Sequence, residues 1–241
     1  MTASPPALSV HELSKSYGGS HKGSHGGSEH DRPALAPLSL EVPAGQLVAL
    51  VGHNGSGKTT FMRMLAGLLD PSGGSVEVHG QPGGSMEARA ELAYLADHPT
   101  FYDDLSLREH LEFVARMHGV QDWLGTAERL VGALGLTERF DQLPTTFSRG
   151  LRQKAAIAIA FVRPFTLLLV DEPFVGLDEA GKSALLGLFD EAHARGAALV
   201  VATHELGFVT RADRLIALTD GEVRFDGPPG DTDVHALVLH T

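Results

Sequence analysis

Gly52, His53, Asn54, Gly55, Ser56, Gly57, Lys58 and Thr59 form a run that fits the pattern GxxxxGK[ST], with Thr60 directly after it. Each residue type has a use at that spacing. The glycines let successive backbone N–H groups curl around an anion, Lys58 carries a point charge to terminal phosphates, and Thr59 offers a hydroxyl to a Mg²⁺ ion. The apolar run Val48-Ala-Leu-Val51 predicts a strand ahead of the loop, and residues 60–66 predict a helix behind it. The N-terminus of that helix adds its partial positive charge to the same cradle. Gly67 and the Pro71-Ser-Gly-Gly74 cluster end the helix. Strand, loop and helix together predict the binding of a nucleoside triphosphate.

A second constellation lies downstream. Residues 167–170, Leu-Leu-Leu-Val, read as a strand buried on both faces, and the run ends in Asp171 and Glu172. Carboxylates at such a place are costly unless they are used. Asp171 suits holding Mg²⁺ through water, while Glu172 is placed to polarise or deprotonate the water that attacks a γ-phosphate. Ahead of this strand, Ser148, Arg149 and Gly150 precede an Ala/Ile-rich helical stretch, residues 155–162, that Arg163 and Pro164 would end. Ser148 sits where an N-cap would.

These residues need elements to hold them. Short apolar runs at residues 46–51, 75–79, 91–95, 167–170, 198–202 and 214–219 alternate with helical stretches. That alternation predicts an α/β fold with a mostly parallel sheet covered on both faces. Asp220-Gly221 between residues 215–218 and 222–225 predicts a hairpin, so antiparallel β elements are mixed into the sheet core. Leu107, Leu111, Val114 and Ala115, then Leu130, Ala133 and Leu134, follow helical spacing. A helical subdomain is expected over about residues 97–150, within one domain spanning 1–241. Residues 18–32 are rich in Gly, Ser and His and predict a mobile loop. His21, His25 and His30 could take a metal ion, but without flanking structure they fix no coordination geometry, and a solvated loop accounts for them.

Composition narrows the function classes. A formal charge of −11 and no basic stripe argue against holding nucleic acid by phosphate neutralisation. The chain has no cysteine, which removes a disulfide framework and leaves a reducing compartment as the default. Pro5 and Pro6 interrupt any signal-like apolar run, and no apolar stretch reaches the length of a membrane span. The expectation is a cytoplasmic chain.

The order of these motifs resembles that of the ATP-binding subunits of ABC transporters, and the resemblance covers nearly the whole chain. It consists of the phosphate loop, the helical region, Ser148-x-Gly150, Leu-Leu-Leu-Val-Asp-Glu-Pro173, Gly176-Leu-Asp178 and an isolated His204 after the next strand. The resemblance implies a P-loop NTPase fold, ATP and Mg²⁺ as cofactors, and ATP hydrolysis with Lys58, Glu172 and His204 at its centre. It further implies that Ser148 and Gly150 contact the γ-phosphate of ATP on the opposite subunit. In the same pattern Asp178 belongs to the D-loop, His204 is the switch histidine, and Tyr17 stacks on adenine. The implied partners are a transmembrane permease subunit and a second copy or related ATPase subunit, which would place the chain on the inner face of the cell membrane.

Two departures from the family pattern stand out. The family usually has a metal-holding glutamine after the strand at residues 91–95, and this chain has Asp97-His98-Pro99. Counting towards Tyr102-Asp-Asp-Leu105 puts Asp97 in the glutamine's place as a Mg²⁺ ligand, with His98 the neighbouring alternative. Arg149 and Leu151 replace residues of the commonest Ser-Gly-Gly-Gln signature; similar Ser-Arg-Gly forms occur among exporter-type subunits, which favours export. Haem-exporter-like, drug and lipid substrates all remain open. The alternatives are a soluble ABC-type ATPase not coupled to transport, whose usual coiled coils and zinc motifs are missing here, and a P-loop kinase or GTPase, which would leave Ser148 to Lys154 and His204 without a use.

Overall fold

The computed structural model describes residues 5–17 and 33–230. The expected Gly/Ser/His-rich loop at residues 18–32, with its three histidines, lies outside them.

The main sheet has six strands in the order β10-β9-β3-β8-β7-β6. These are β3 (Leu47–Val51), β6 (Leu92–Leu95), β7 (Leu167–Asp171), β8 (Ala198–Ala202), β9 (Arg214–Thr219) and β10 (Glu222–Gly227). The first five pair in parallel, and β10 folds back antiparallel on β9. The turn between them has Asp220 at φ 50° and Gly221 at φ 78°, the positive values that the Asp-Gly pair predicts. A separate four-stranded antiparallel sheet runs β2-β1-β4-β5. It consists of β1 (Leu8–Lys15), β2 (Leu35–Val42), β4 (Gly73–Val78) and β5 (Gln81–Pro82).

Alternation along the central strands explains the layers. Ala49, Val51, Leu168, Val170, Leu199 and Val201 face one apolar cluster, and Val48, Leu50, Leu167, Leu169, Val200 and Ala202 face another. The first cluster is filled by α3 (Leu107–Met117), α4 (Leu124–Ala133), α5 (Arg149–Phe161) and α6 (Glu179–Ala194). The second is filled by α1 (Lys58–Leu65), α2 (Met86–Glu91) and the inner face of the antiparallel sheet, with Leu8, Val10, Leu40 and Val78. A strand buried on both faces has to be apolar throughout, which is why β3, β7 and β8 read as unbroken runs. A last short helix, α7 (Leu206–Val209), follows β8.

Several boundaries move for identifiable reasons. The strand expected at residues 75–79 stops at Val78 because His79, at φ 49°, turns the chain with Gly80. The strand expected from residue 91 starts at Leu92 because Glu91 closes α2, a helix capped by the Ser85 side chain. Strands β1 and β2 have no counterpart among the expected runs: Glu12 at φ 47° breaks the alternation of β1 with a register shift, and a second shift falls beside Pro37 in β2, although residues 38–42 alternate regularly between buried and exposed. The expected helical stretch resolves into α3, α4 and the start of α5, with Ser106 and Glu109 forming a capping box on α3.

Candidate nucleotide-hydrolysis site

The loop from β3 to α1 is shaped by its glycines. Gly52, Gly55 and Gly57 hold φ of 154°, 87° and 103°. A Cβ on Gly52 would collide with the Leu218 carbonyl and the Ser56 hydroxyl, and one on Gly57 would lie 2.7 Å from the Ala34 carbonyl. Only glycine fits at these two positions. Lys58 opens α1 and turns back over the loop, its Nζ donating to Gly52 O at 2.6 Å and His53 O at 3.3 Å.

Three other strands deliver side chains to the same end of the sheet, where α/β proteins bind ligands. From β7 come Asp171 and Glu172; from the end of β8 comes His204; after β6 comes Asp97. His204 Nε2 lies 3.0 Å from Glu172 Oε1, and Lys58 Nζ lies 3.4 Å from His204 Nε2 and 3.9 Å from Glu172 Oε1. A cavity of about 230 Å³ opens over this group, lined by Ala34, His53, Asn54, Gly55, Gly57, Lys58, Thr59, Thr60, Asp97 and Glu172. His98 does not line it. Its Nδ1 sits 2.7 Å from Asp97 Oδ2 and its side chain is 84% exposed.

Burial sets the electrostatics. Desolvation raises the Glu172 carboxyl to about 7, opposed by Lys58 and helped by Asp171 and Asp97. Asp171 is also raised, first by desolvation; the Thr59 hydroxyl favours its charged form, yet neither carboxylate oxygen is in a well-formed hydrogen bond. Glu172 Oε1 likewise has close neighbours but no aligned donor. Desolvation lowers Lys58 below the ordinary lysine value, and desolvation with the Lys58 charge lowers His204. The arrangement therefore offers a carboxyl group that titrates near neutrality, a neutral imidazole beside it and a cation aimed at the loop: the elements of water activation at an anionic phosphate.

The remaining expected site residues lie elsewhere. Ser148 caps α5, its Oγ accepting from Leu151 N at 3.4 Å, and it does not line the cavity. Gly150 packs so closely on Gly176 that a Cβ there would strike the Gly176 carbonyl. Asp178 caps α6 through Gly181 N at 2.9 Å and pairs with Lys154 at 2.8 Å. Tyr17 is 65% exposed, with Lys15 Nζ 5.4 Å from its ring centroid, and is not part of the cavity wall.

The sequence pattern missed two supports. His53 Nε2 lies 3.4 Å from Asp220 Oδ1, tying the loop to the β9–β10 turn, where Asp220 reads only as a turn residue. His110, buried on α3, accepts from Tyr102 N at 2.9 Å through Nε2, with Nδ1 2.8 Å from Ser106 O, and so anchors the segment that follows Asp97. In sequence it is one polar residue on an apolar face.

The ABC transporter family model matches residues 35–175. The ABC-type transporter ATP-binding protein EcsA of Bacillus subtilis is 37% identical over 205 residues, covering 81% of this chain and 81% of its own length. The SkfA peptide export ATP-binding protein SkfE of the same organism is 35% identical over 222 residues, 91% of this chain and 88% of its own. A solved ATP-binding subunit of an ABC transporter superposes with a TM-score of 0.83 at 30% identity, over 96% of this chain and 97% of that one.

Proposed function

The chain belongs to the ABC transporter family as an ATP-binding, ATP-hydrolysing subunit, and from that premise we propose that two such chains close head to tail on ATP and drive a separate membrane permease, in the direction of export. One observation carries this reading. Ser148 and Gly150 stand at the exposed N-terminus of α5, outside the cavity formed by their own chain's phosphate loop. A helix N-terminus with free N–H groups suits an anion, so a second copy is what would bring one to it. ATP then joins the two chains, and loss of its γ-phosphate releases them.

Within each chain, Gly52 to Thr60 wrap the phosphates and Lys58 shifts from the loop carbonyls to the terminal phosphates. Glu172 orients and deprotonates the attacking water, and His204 holds Glu172 and the γ-phosphate in register. The buried, unpartnered oxygens of Asp171, the Thr59 hydroxyl and the Asp97 carboxylate fit a hard divalent cation. Mg²⁺ held there would neutralise charge between the β- and γ-phosphates. Asp178 acts from the D-loop, and Tyr17 supplies a ring for adenine.

The helices of residues 97–150 act as a subdomain that carries Ser148 and meets the permease. An apolar cleft beside Asp97, lined in part by Leu68, Phe101, Val114 and Ile159, supports this reading. No helix among the described residues is long and apolar enough to cross a membrane. In this reading the permease holds the chain on the inner membrane face. The relative named for peptide export and the Ser-Arg-Gly signature support the direction. Affinity isolation from detergent-solubilised membranes tests the assignment: a polytopic membrane protein should co-purify, and recovery of soluble partners alone would favour an ATPase uncoupled from transport.

A further inference from the structure

Asp97 lines the phosphate cavity with Lys58, Thr59 and Glu172, at the place where the family pattern has a neutral glutamine. It opens onto the same small volume as Glu172, which directly follows Asp171 at the end of β7. Three carboxyl groups thus bear on one small cavity, against the Lys58 ammonium in its lining and the Arg63 guanidinium on α1, whose charge also acts on Asp171. His204 adds no countercharge, because burial and Lys58 keep its imidazole neutral. Asp171 is fully buried with both oxygens unpartnered, an electrostatic deficit that a cation would relieve. Yet among the described residues no group of three His, Asp or Glu side chains is placed to hold a metal ion by itself. A hard divalent ion held here would complete its coordination with water and with the nucleotide's phosphates.

Resting on the ATP-hydrolysing reading, we propose that Asp97 is a specificity-determining residue that makes the cavity select metal-bound ATP and reject the metal-free nucleotide. Metal-free ATP would carry its full negative charge towards Asp97, whose side chain is 29% exposed and so only partly screened by water. A divalent ion turns the same carboxylate from a repulsive neighbour into an attractive one. A glutamine would offer an oxygen of similar reach without the charge, and so would bind both forms more evenly. His98 holds Asp97 Oδ2 from the solvent-exposed side, which steadies the carboxylate without entering the cavity.

Calorimetric titration of the full chain with ATP, once with Mg²⁺ and once with EDTA, tests this in wild type, Asp97→Asn and Asp97→Gln. Removing the charge should tighten metal-free ATP about tenfold, a change of about 1.4 kcal/mol, while MgATP weakens by no more than about threefold. Binding of Mn²⁺ to the ADP complex, read by electron paramagnetic resonance, should weaken in the same variants. Asp103→Asn, which removes a carboxylate from the neighbouring cleft only, should keep the wild-type ratio. An unchanged ratio in the Asp97 variants, a parallel loss of both forms, or an equal effect of Asp103→Asn would overturn the proposal. A wild-type chain that binds neither form would instead overturn the nucleotide reading itself.

Discussion

His204 Nε2 stands 3.0 Å from Glu172 Oε1, close enough to fix the carboxylate yet not aligned as its hydrogen-bond donor. Because His204 is held neutral, it acts on Glu172 by position more than by charge. His204→Ala should therefore lower kcat for ATP hydrolysis by about a hundredfold, with KM changed far less. The acid limb of the pH profile should stay where Glu172 puts it. Steady-state ATPase assays across pH check both parts, and a large shift of that limb would show that the histidine works as a charge.

Glu172 itself sets that limb. With its carboxyl raised to about 7 by burial, the group is mostly protonated below neutrality and cannot serve as a base. kcat/KM for ATP should rise with pH and level off above about 7, and Glu172→Gln should abolish the rise together with most of the turnover. The same shift has a stability consequence of definite sign. The folded chain holds this proton more tightly than the unfolded chain, so the stabilisation is full below the ordinary glutamate value and is lost as pH climbs through about 7. Glu172→Gln should thus raise the melting temperature of the nucleotide-free protein at pH 8 and leave it nearly unchanged at pH 4.5, as differential scanning calorimetry would read. In gel filtration with ATP it should elute as a dimer; a variant that binds ATP and stays monomeric would count against the head-to-tail assembly.

The Lys58 ammonium donates to Gly52 O and His53 O within the loop, so its removal should be felt in the nucleotide-free protein as well. Lys58→Ala should weaken ATP binding by at least about tenfold through loss of a charge-assisted contact. It should also leave two loop carbonyls without their donor. Faster amide exchange confined to residues 52–60, measured by mass spectrometry, is the expected signature.

How much of this was legible in the chain differs from residue to residue. Gly52, Lys58 and Thr59 announce themselves because phosphate binding constrains type and spacing within one short loop. Strands β7 and β8 show as apolar runs because both their faces are buried. Asp97 illustrates the limit: counting along the sequence favours it but leaves neighbouring His98 as an alternative, and only the turn after β6 sends one side chain to the cavity and the other outward. The links His53–Asp220 and His110–Tyr102 join residues whose nearness depends on the tertiary fold. Strand β1 was hidden by a bulge that breaks the period-two pattern, whereas β2 keeps that pattern from Leu38 to Val42 and was legible, with only Pro37 to obscure its start.

Gly150 offers a way to separate dimer closure from nucleotide binding. Its α-carbon lies against the Gly176 backbone, where any Cβ would strike the Gly176 carbonyl. Gly150→Ala therefore has to push the signature helix and the D-loop apart, at a cost of about 1–3 kcal/mol for an overpacked contact. The phosphate cavity contains neither residue, so ATP affinity of the single chain should stay within about threefold of wild type. Cooperative hydrolysis should fall at least tenfold, because the surface proposed to meet a partner's γ-phosphate is displaced. Combined with Glu172→Gln, the substitution should abolish the ATP-dependent dimer in gel filtration. If the double variant still dimerised as readily as Glu172→Gln alone, the close packing of α5 on the D-loop would have no part in closure, and Ser148 and Gly150 would have to be assigned another role.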